Sequence, residues 1–325
     1  MISDEIAQVL ERNPGVRFEL FGNIPVPETL GRFGERVVRI APIKGYAKFM
    51  ARLRALEWDI GLCPLVRSDF NDAKSNVKWV EYTACGTPVI ASKGPVYGET
   101  ASHGRGQLAK PGEWAKALQR WIDRPEKAVE AARRAQAHLS ATLSPEDHAA
   151  VLRADLERAV AETSSKGEVG GAQVGLRASA RAEAGFDREG ALRILLVAAD
   201  RTPTLQICLE APLASEIAAG RVMTEYLLQS EMAAAFPDDT TGSAAADWVS
   251  ARIDKFAPDV IIASRYNGPH VERFLDAARK RTIPLIYHID DDLLHVPPEM
   301  GRSKYLSYNH PSRQRWLRAL LEGAD

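Results

Sequence analysis

Residues 70–92 read Phe70-Asn71-Asp72-Ala73-Lys74-Ser75-Asn76-Val77-Lys78-Trp79-Val80-Glu81-Tyr82-Thr83-Ala84-Cys85-Gly86-Thr87-Pro88-Val89-Ile90-Ala91-Ser92. Val77–Cys85 has the pattern of a helix, closed by Gly86 with Pro88 just beyond, and Val89–Ala91 reads as the next strand. Ser75 is a favoured N-cap, so unpaired amides are expected at Asn76, Val77 and Lys78, where the helix dipole places partial positive charge. Lys74 and Lys78 add two full charges, and together these groups make an anion site suited to phosphate. The helix end alone is worth about 0.3–2 kcal/mol, so the lysines must supply much of the attraction. Glu81, deeper in the helix, is badly placed for a phosphate but can accept both hydroxyls of a ribose. A diphosphate at the helix start with a ribose beside Glu81 describes a nucleotide diphosphate. The competing reading is a solvated helix face on which Ser75 merely caps.

Outward from this stretch, strand and helix alternate. Upstream, a helix carries Ile6, Val9 and Leu10 on one face, Val16–Phe21 alternates like a strand, and Asp59–Pro64 is a short apolar run between turn residues. Downstream, Trp114, Leu118, Trp121 and Ile122 share one face of a helix. Ser144-Pro145-Glu146-Asp147 opens another helix, which carries Val151, Leu152, Leu156 and Val160. Residues 163–190, rich in Gly, Ser and Ala with no apolar period, read as a flexible linker. Beyond them Leu192–Ala198 is a buried strand, helical stretches are expected around Ser215–Phe236 and Ala244–Phe256, and a strand starts at Pro258-Asp259-Val260-Ile261-Ile262. His270–Lys280 reads as helix and Pro284–Tyr287 as strand. Apolar strands separated by amphipathic helices imply parallel sheets covered on both faces, hence an α/β chain of two Rossmann-like domains, residues 1–162 and 191–325.

Composition agrees. A chain of 325 residues, 45% hydrophobic and 26% charged, is neither disordered nor collagenous, and holds about two domains at roughly 100–200 residues each. Its net charge of −1 argues against a nucleic-acid partner. No apolar run approaches the roughly 20 residues of a membrane helix. The three cysteines form no CxxC, and the opening residues have neither the basic leader nor the apolar core of a signal peptide, so a cytoplasmic location is expected. The seven histidines make no HExxH or HxxxH, so no metal site is expected.

The second half has its own candidate chemistry in Tyr287-His288-Ile289-Asp290-Asp291-Asp292-Leu293-Leu294, at the C-terminal end of a parallel strand. His288 could orient or deprotonate a hydroxyl, and Asp290 and Asp291 could accept hydrogen bonds from hydroxyls. The alternative is that the acids favour the dipole of a following helix. No GxGxxG follows the Leu192 strand, so a dinucleotide oxidoreductase has little support.

The stretch from Phe70 to Val89 resembles the donor-binding half of glycosyltransferase family 4, the retaining enzymes of GT-B fold. It meets every fixed position of the branch signature Phe-Asn-x-x-Lys-Ser-x-x-Lys-x-x-Glu-Tyr-x-Ala-x-Gly-x-Pro-Val. Trp58-Asp59-Ile60-Gly61-Leu62-Cys63-Pro64-Leu65 and the Trp114 helix ending in Asp123-Arg124-Pro125-Glu126 are similar too. The resemblance implies that Glu81 holds the nucleotide ribose and that Lys74 and Ser75 lie where the donor's phosphates and sugar are met; with Asn76 and Lys78 at the helix start and Asn71 before it, these make the expected donor-binding set. The family's first glutamate falls at Ala73, a departure that leaves Asn71 or Asp72 to substitute. Pro258–Ile262, residues 283–294 and Val296-Pro297-Pro298-Glu299 are similar, more weakly, to the acceptor-side half.

The resemblance implies a donor-type half first and an acceptor-type half second, the reverse of the family's order. A chain opening at Met1 would also lack the strand and Ser/Gly-rich loop that normally begin the donor half. A piece of a tandem transferase and a permuted enzyme both explain this. The expected function is transfer of a sugar, with retention, from a nucleotide diphosphate-sugar to a glycan or lipid-linked glycan in a bacterial surface-polysaccharide route. No cofactor and no nucleic acid are expected, while peripheral membrane association is compatible with such an acceptor. The rival expectation is a non-catalytic sugar-nucleotide-binding module.

Overall fold

The structure, a computed structural model, describes residues 2–142, 145–166, 190–237 and 243–325. The chain divides into two compact units, Met1–Ser144 and Pro145–Asp325, each a mixed α/β body with parallel strands. Of the expected linker at 163–190, residues 163–166 continue the helix Pro145–Lys166 and residues 167–189 lie outside the described residues, as does the expected cap Ser144.

In the first unit β1 (Phe18–Phe21) pairs with β2 (Val37–Ile40), and β3 (Gly61–Cys63), β4 (Val89–Ser92) and β5 (Gln107–Ala109) form a parallel set in the order β3-β4-β5. Helix Ser3–Arg12 buries Ile6, Val9 and Leu10 with Trp114, Leu118 and Trp121 of helix Trp114–Asp123. The Glu5 carboxylate accepts the backbone amides of Trp114 (2.6 Å) and Ala115 (3.1 Å), satisfying donors that this helix cannot pair internally. A second core gathers Cys63, Trp79, Val89, Ala91 and Tyr97 between β3, β4 and helix Val77–Ala84. That helix ends as its sequence predicts: Gly86 takes φ +80°, its amide donates to Thr83 O (3.0 Å), and Thr87 N donates to Tyr82 O (2.9 Å). These two bonds pair the helix's last carbonyls, and the left-handed backbone at Gly86 favours glycine.

In the second unit β6 (Leu192–Ala198), β7 (Val222–Leu228), β8 (Val260–Ser264) and β9 (Leu285–His288) form one parallel sheet in the order β7-β6-β8-β9. Every residue of β6 and β8 is buried, Arg193 and Ser264 included, and their otherwise apolar runs suit central strands covered on both faces. Helix Pro145–Lys166, grouped by the sequence reading with the preceding domain, packs in this unit: Leu156, with Leu152 and Val160, meets Leu205, Leu209 and Leu213 of the helical run 203–218. Arg153 adds an ion pair to Glu216 (3.2 Å).

Three strands depart from the sequence expectation. The stretch Ser215–Phe236, expected to be helical, contains β7, because the helix stops before Gly220 (φ +72°) and the chain turns into the sheet. Val222, Thr224 and Tyr226 alternate there as strand residues do, but β7 is an edge strand with half-exposed Glu225 and Tyr226, which blurs its apolar signal. The strands β2 and β5 were not anticipated; each is short and pairs on one side only.

Candidate functional site

In the first unit the chain leaves β3 at Cys63, runs through a loop, makes the short helix Asp69–Asp72 and a turn, and enters helix Val77–Ala84. Ser75 is not the cap: the capping position is Asn76 (φ −83°, ψ 18°), which makes no side-chain capping bond. The capping serine is instead Ser68, whose Oγ accepts the Asn71 amide (3.2 Å) at the start of the preceding short helix. The donors at the start of Val77–Ala84 are thus left without a side-chain cap, while Trp79 N (2.8 Å) and Val80 N (3.2 Å) donate to Asn76 O.

The donor-side candidates occupy this connection and helix. Asn71 is half-buried, and its Nδ2 donates to Val66 O (2.9 Å), tying the helix to the loop after β3. Asp72 pairs with Arg67 (2.9 Å), and its buried Oδ1 has no hydrogen-bond partner. The Lys74 ammonium lies 4.8 Å from the Phe70 ring centroid, a cation–π contact that anchors its stem. Ser75 and Lys78 are exposed, Asn76 and Glu81 half-buried, and Ala73, where the resembled family has its first glutamate, is exposed.

Glu81 titrates away from the ordinary carboxylate range. Burial raises its carboxyl pKa, and the Lys78 ammonium, a turn earlier on the same helix, offsets part of that rise. The Cys63 thiol, fully buried at the end of β3 and hydrogen-bonded to Tyr97, is pushed up to about 12 by burial, so it is an inert part of the floor rather than a nucleophile. The helix lies close against the sheet: a Cβ at Gly61 would stand 2.8 Å from the Tyr82 ring. One end of this layer therefore carries a half-buried carboxylate with an exposed ammonium beside it, an arrangement able to accept hydroxyls and attract an anion.

In the second unit the strand order reverses at β6 and β8, the place where open α/β sheets bind ligands outside the C-terminal strand ends. His288 ends β9 and is half-buried. Its Nδ1 lies 3.2 Å from Ser264 Oγ, at the end of β8. Burial lowers the His288 pKa; Asp290 raises it and Arg265 lowers it to a smaller extent. The acid run divides. Arg265 pairs with Asp290 (3.0 Å) and Asp291 (2.9 Å), while Asp292 pairs with His295 (2.8 Å). Residues 289–292 are not followed directly by a helix, so the helix-dipole alternative does not hold. Thr204 Oγ1 completes the group, 3.3 Å from both Asp290 Oδ2 and Arg265 Nη1.

Sequence reading picked out His288, Asp290 and Asp291 and missed Thr204, Ser264 and Arg265. Ser264 and Arg265 follow directly on the apolar run of β8, a positional signal at a strand's C-terminal end; Thr204 carried none. Among the described residues, no three His, Cys, Asp or Glu side chains gather in a way that could hold a metal ion. No helix among them is long and apolar enough to cross a membrane.

Residues 4–154 match the family model described as glycosyl transferase-like, which supports membership of that part of the chain in a glycosyltransferase family. Neither the curated proteins nor the solved structures yield a match.

Proposed function

We propose that the protein is a glycosyltransferase of GT-B type that moves a sugar, with retention, from a nucleotide diphosphate-sugar to a glycan or lipid-linked glycan. In this reading the first unit is the donor-type half and the second the acceptor-type half, and polysaccharide assembly on the cytoplasmic side is the setting. The observation that carries it is the glycosyl transferase-like match over 4–154, a segment that contains the Lys78–Glu81 helix beside the end of β3. Glu81 would hold the ribose hydroxyls. Lys74, Lys78 and the uncapped helix start would meet the diphosphate and stabilise the negative charge that grows on it as the sugar departs. Asn71, Ser75 and Asn76 would border the phosphates and the sugar, and His288, Asp290 and Asp291 would meet the acceptor hydroxyl. No cofactor or metal ion is assigned a role.

The test is incubation of the full chain with UDP-, GDP- and dTDP-sugars, following release of the nucleoside diphosphate and measuring binding by calorimetry. Saturable binding of one nucleotide series together with release of its diphosphate is expected. Absence of binding in all three series would sink the reading. A second reading, a sugar-nucleotide-binding module without turnover, is favoured by one observation: the exposed Ala73 where the resembled family places its first glutamate. Binding without diphosphate release, with glycan acceptors supplied, would select it.

A further inference from the structure

Arg265 directly follows β8, the strand beside the sheet's reversal point. Its backbone takes φ +48°, a left-handed conformation uncommon for a long side chain. Its amide donates to His288 O (2.8 Å), so main chain and side chain both reach the end of β9. The guanidinium keeps a quarter of its surface exposed and divides its nitrogens between two carboxylates, Nη1 at 3.0 Å from Asp290 Oδ1 and Nη2 at 2.9 Å from Asp291 Oδ2. Nη1 also lies 3.3 Å from Thr204 Oγ1 and from Asp290 Oδ2. The planar fork of arginine can span two acceptors in this way; a lysine ammonium is a point charge on a flexible stem.

We infer that Arg265 is a positioning residue that binds Asp290, Asp291 and His288 into one electrostatically coupled group at the ends of β8 and β9. Without the cation, two adjacent carboxylates would face each other and the half-buried imidazole with no counter-charge. With it, Asp290 and Asp291 keep defined orientations and His288 is shielded from them. Strain of this sort persists where the surroundings over-determine it, and here the ion pairs to Asp290 and Asp291, the hydrogen bond to Thr204 and the backbone bond to His288 O do so. The charged and titratable groups facing His288 are Asp290 and Arg265; around these lie Asp291 on the same loop, Cys208 on the helical run 203–218, Tyr287 on β9 and Tyr308 on helix Arg302–Tyr308.

For turnover the inference rests on the transferase reading; for the coupling itself it does not, and the experiment separates the two. His288 is titrated by NMR in the full chain, its signal assigned by its loss in His288→Asn. In Arg265→Gln the His288 titration is expected to move to higher pH, because the shielding cation is gone while the carboxylates stay. In Asp290→Asn it is expected to move to lower pH. Should the glutamine variant fail to fold, the Asp290→Asn titration decides alone. A His288 titration that stays in place in either folded variant overturns the inference, whatever the activity. Where turnover is present, Arg265→Lys is expected to lose roughly tenfold or more in kcat, since positioning lapses of about an ångström have such effects. Its His288 titration is expected to stay near that of the wild type, and full kcat in this variant would also overturn the role.

Discussion

Ser264 and His288 stand side by side in register at the C-terminal ends of β8 and β9, and the serine hydroxyl and the imidazole Nδ1 are 3.2 Å apart. The bond uses one ring nitrogen for structure and leaves Nε2 as the one available for chemistry. Ser264 is 3% exposed, so the hydroxyl has no water to turn to. Ser264→Ala is expected to lower stability by about 0.5–1.5 kcal/mol, the net worth of one hydrogen bond. Urea denaturation at neutral pH checks this, and an unchanged midpoint would show that the bond contributes nothing in solution.

Gly61 opens β3 with no room for a side chain, since a Cβ would come within 2.8 Å of Tyr82 Cδ2 and 2.9 Å of Cγ. Tyr82 is braced by Trp58, their ring centroids 5.9 Å apart, so it cannot swing freely aside. Gly61→Ala is expected to destabilise the protein by about 1–3 kcal/mol through overpacking. Because Tyr82 and Glu81 are neighbours on the displaced helix, nucleotide affinity should fall as well. Tyr82→Leu in the alanine background should recover part of the loss, and a double-mutant cycle with no coupling energy would contradict the close approach.

What the sequence made legible follows from where each signal lies along the chain. The strands β3, β4, β6, β8 and β9 announce themselves because apolar runs between turn residues are local features, as is the Gly86 stop of helix Val77–Ala84. The edge strand β7 was hidden because its half-exposed Met223, Thr224, Glu225 and Tyr226 break the apolar run. Lys78 and Glu81 were readable as a pair because one helix carries both. Arg265 was not, since its partner Thr204 lies 61 positions away and its left-handed backbone leaves no mark in the residue type. The serine cap was misplaced because Ser68 and Ser75 both precede helical residues, and only Ser68 makes a capping bond.

Lys78 is exposed and, among the described residues, forms no ion pair, so its charge is available to an incoming anion. Lys78→Ala is expected to weaken nucleoside diphosphate binding by up to about fivefold, as for a solvated charge pair worth roughly 1 kcal/mol. Added salt should shrink the difference between variant and wild type, because the Debye length falls from about 10 Å at 0.1 M to about 3 Å at 1 M. Calorimetric titration with UDP or GDP at the two ionic strengths is the check. A difference that does not change with salt would assign Lys78 a steric rather than an electrostatic part.

Glu81 links binding and stability to pH in opposite senses. Its folded pKa is raised from the usual 4.5 by burial, so between that value and the raised one the folded chain holds a proton that the unfolded chain has released. The folded state then binds more protons, and the stability contributed by this group, fully present below 4.5, is lost as pH rises through the folded value. Glu81→Gln removes the penalty of burying the charge, so it should be more stable than wild type at neutral pH and converge with it in acid. Nucleotide binding runs the other way. A carboxylate accepts two ribose hydroxyls and the neutral acid accepts them less well, so wild-type affinity should rise as Glu81 ionises. Glu81→Ala should cost about 1–3 kcal/mol of affinity at neutral pH. Denaturation and nucleotide titrations across pH 4–8, where burial places the transition above the ordinary value of 4.5, read both effects from the same samples. Parallel stability curves for wild type and glutamine variant would remove Glu81 as the titrating group, and unchanged affinity in the alanine variant would remove it from the ribose site.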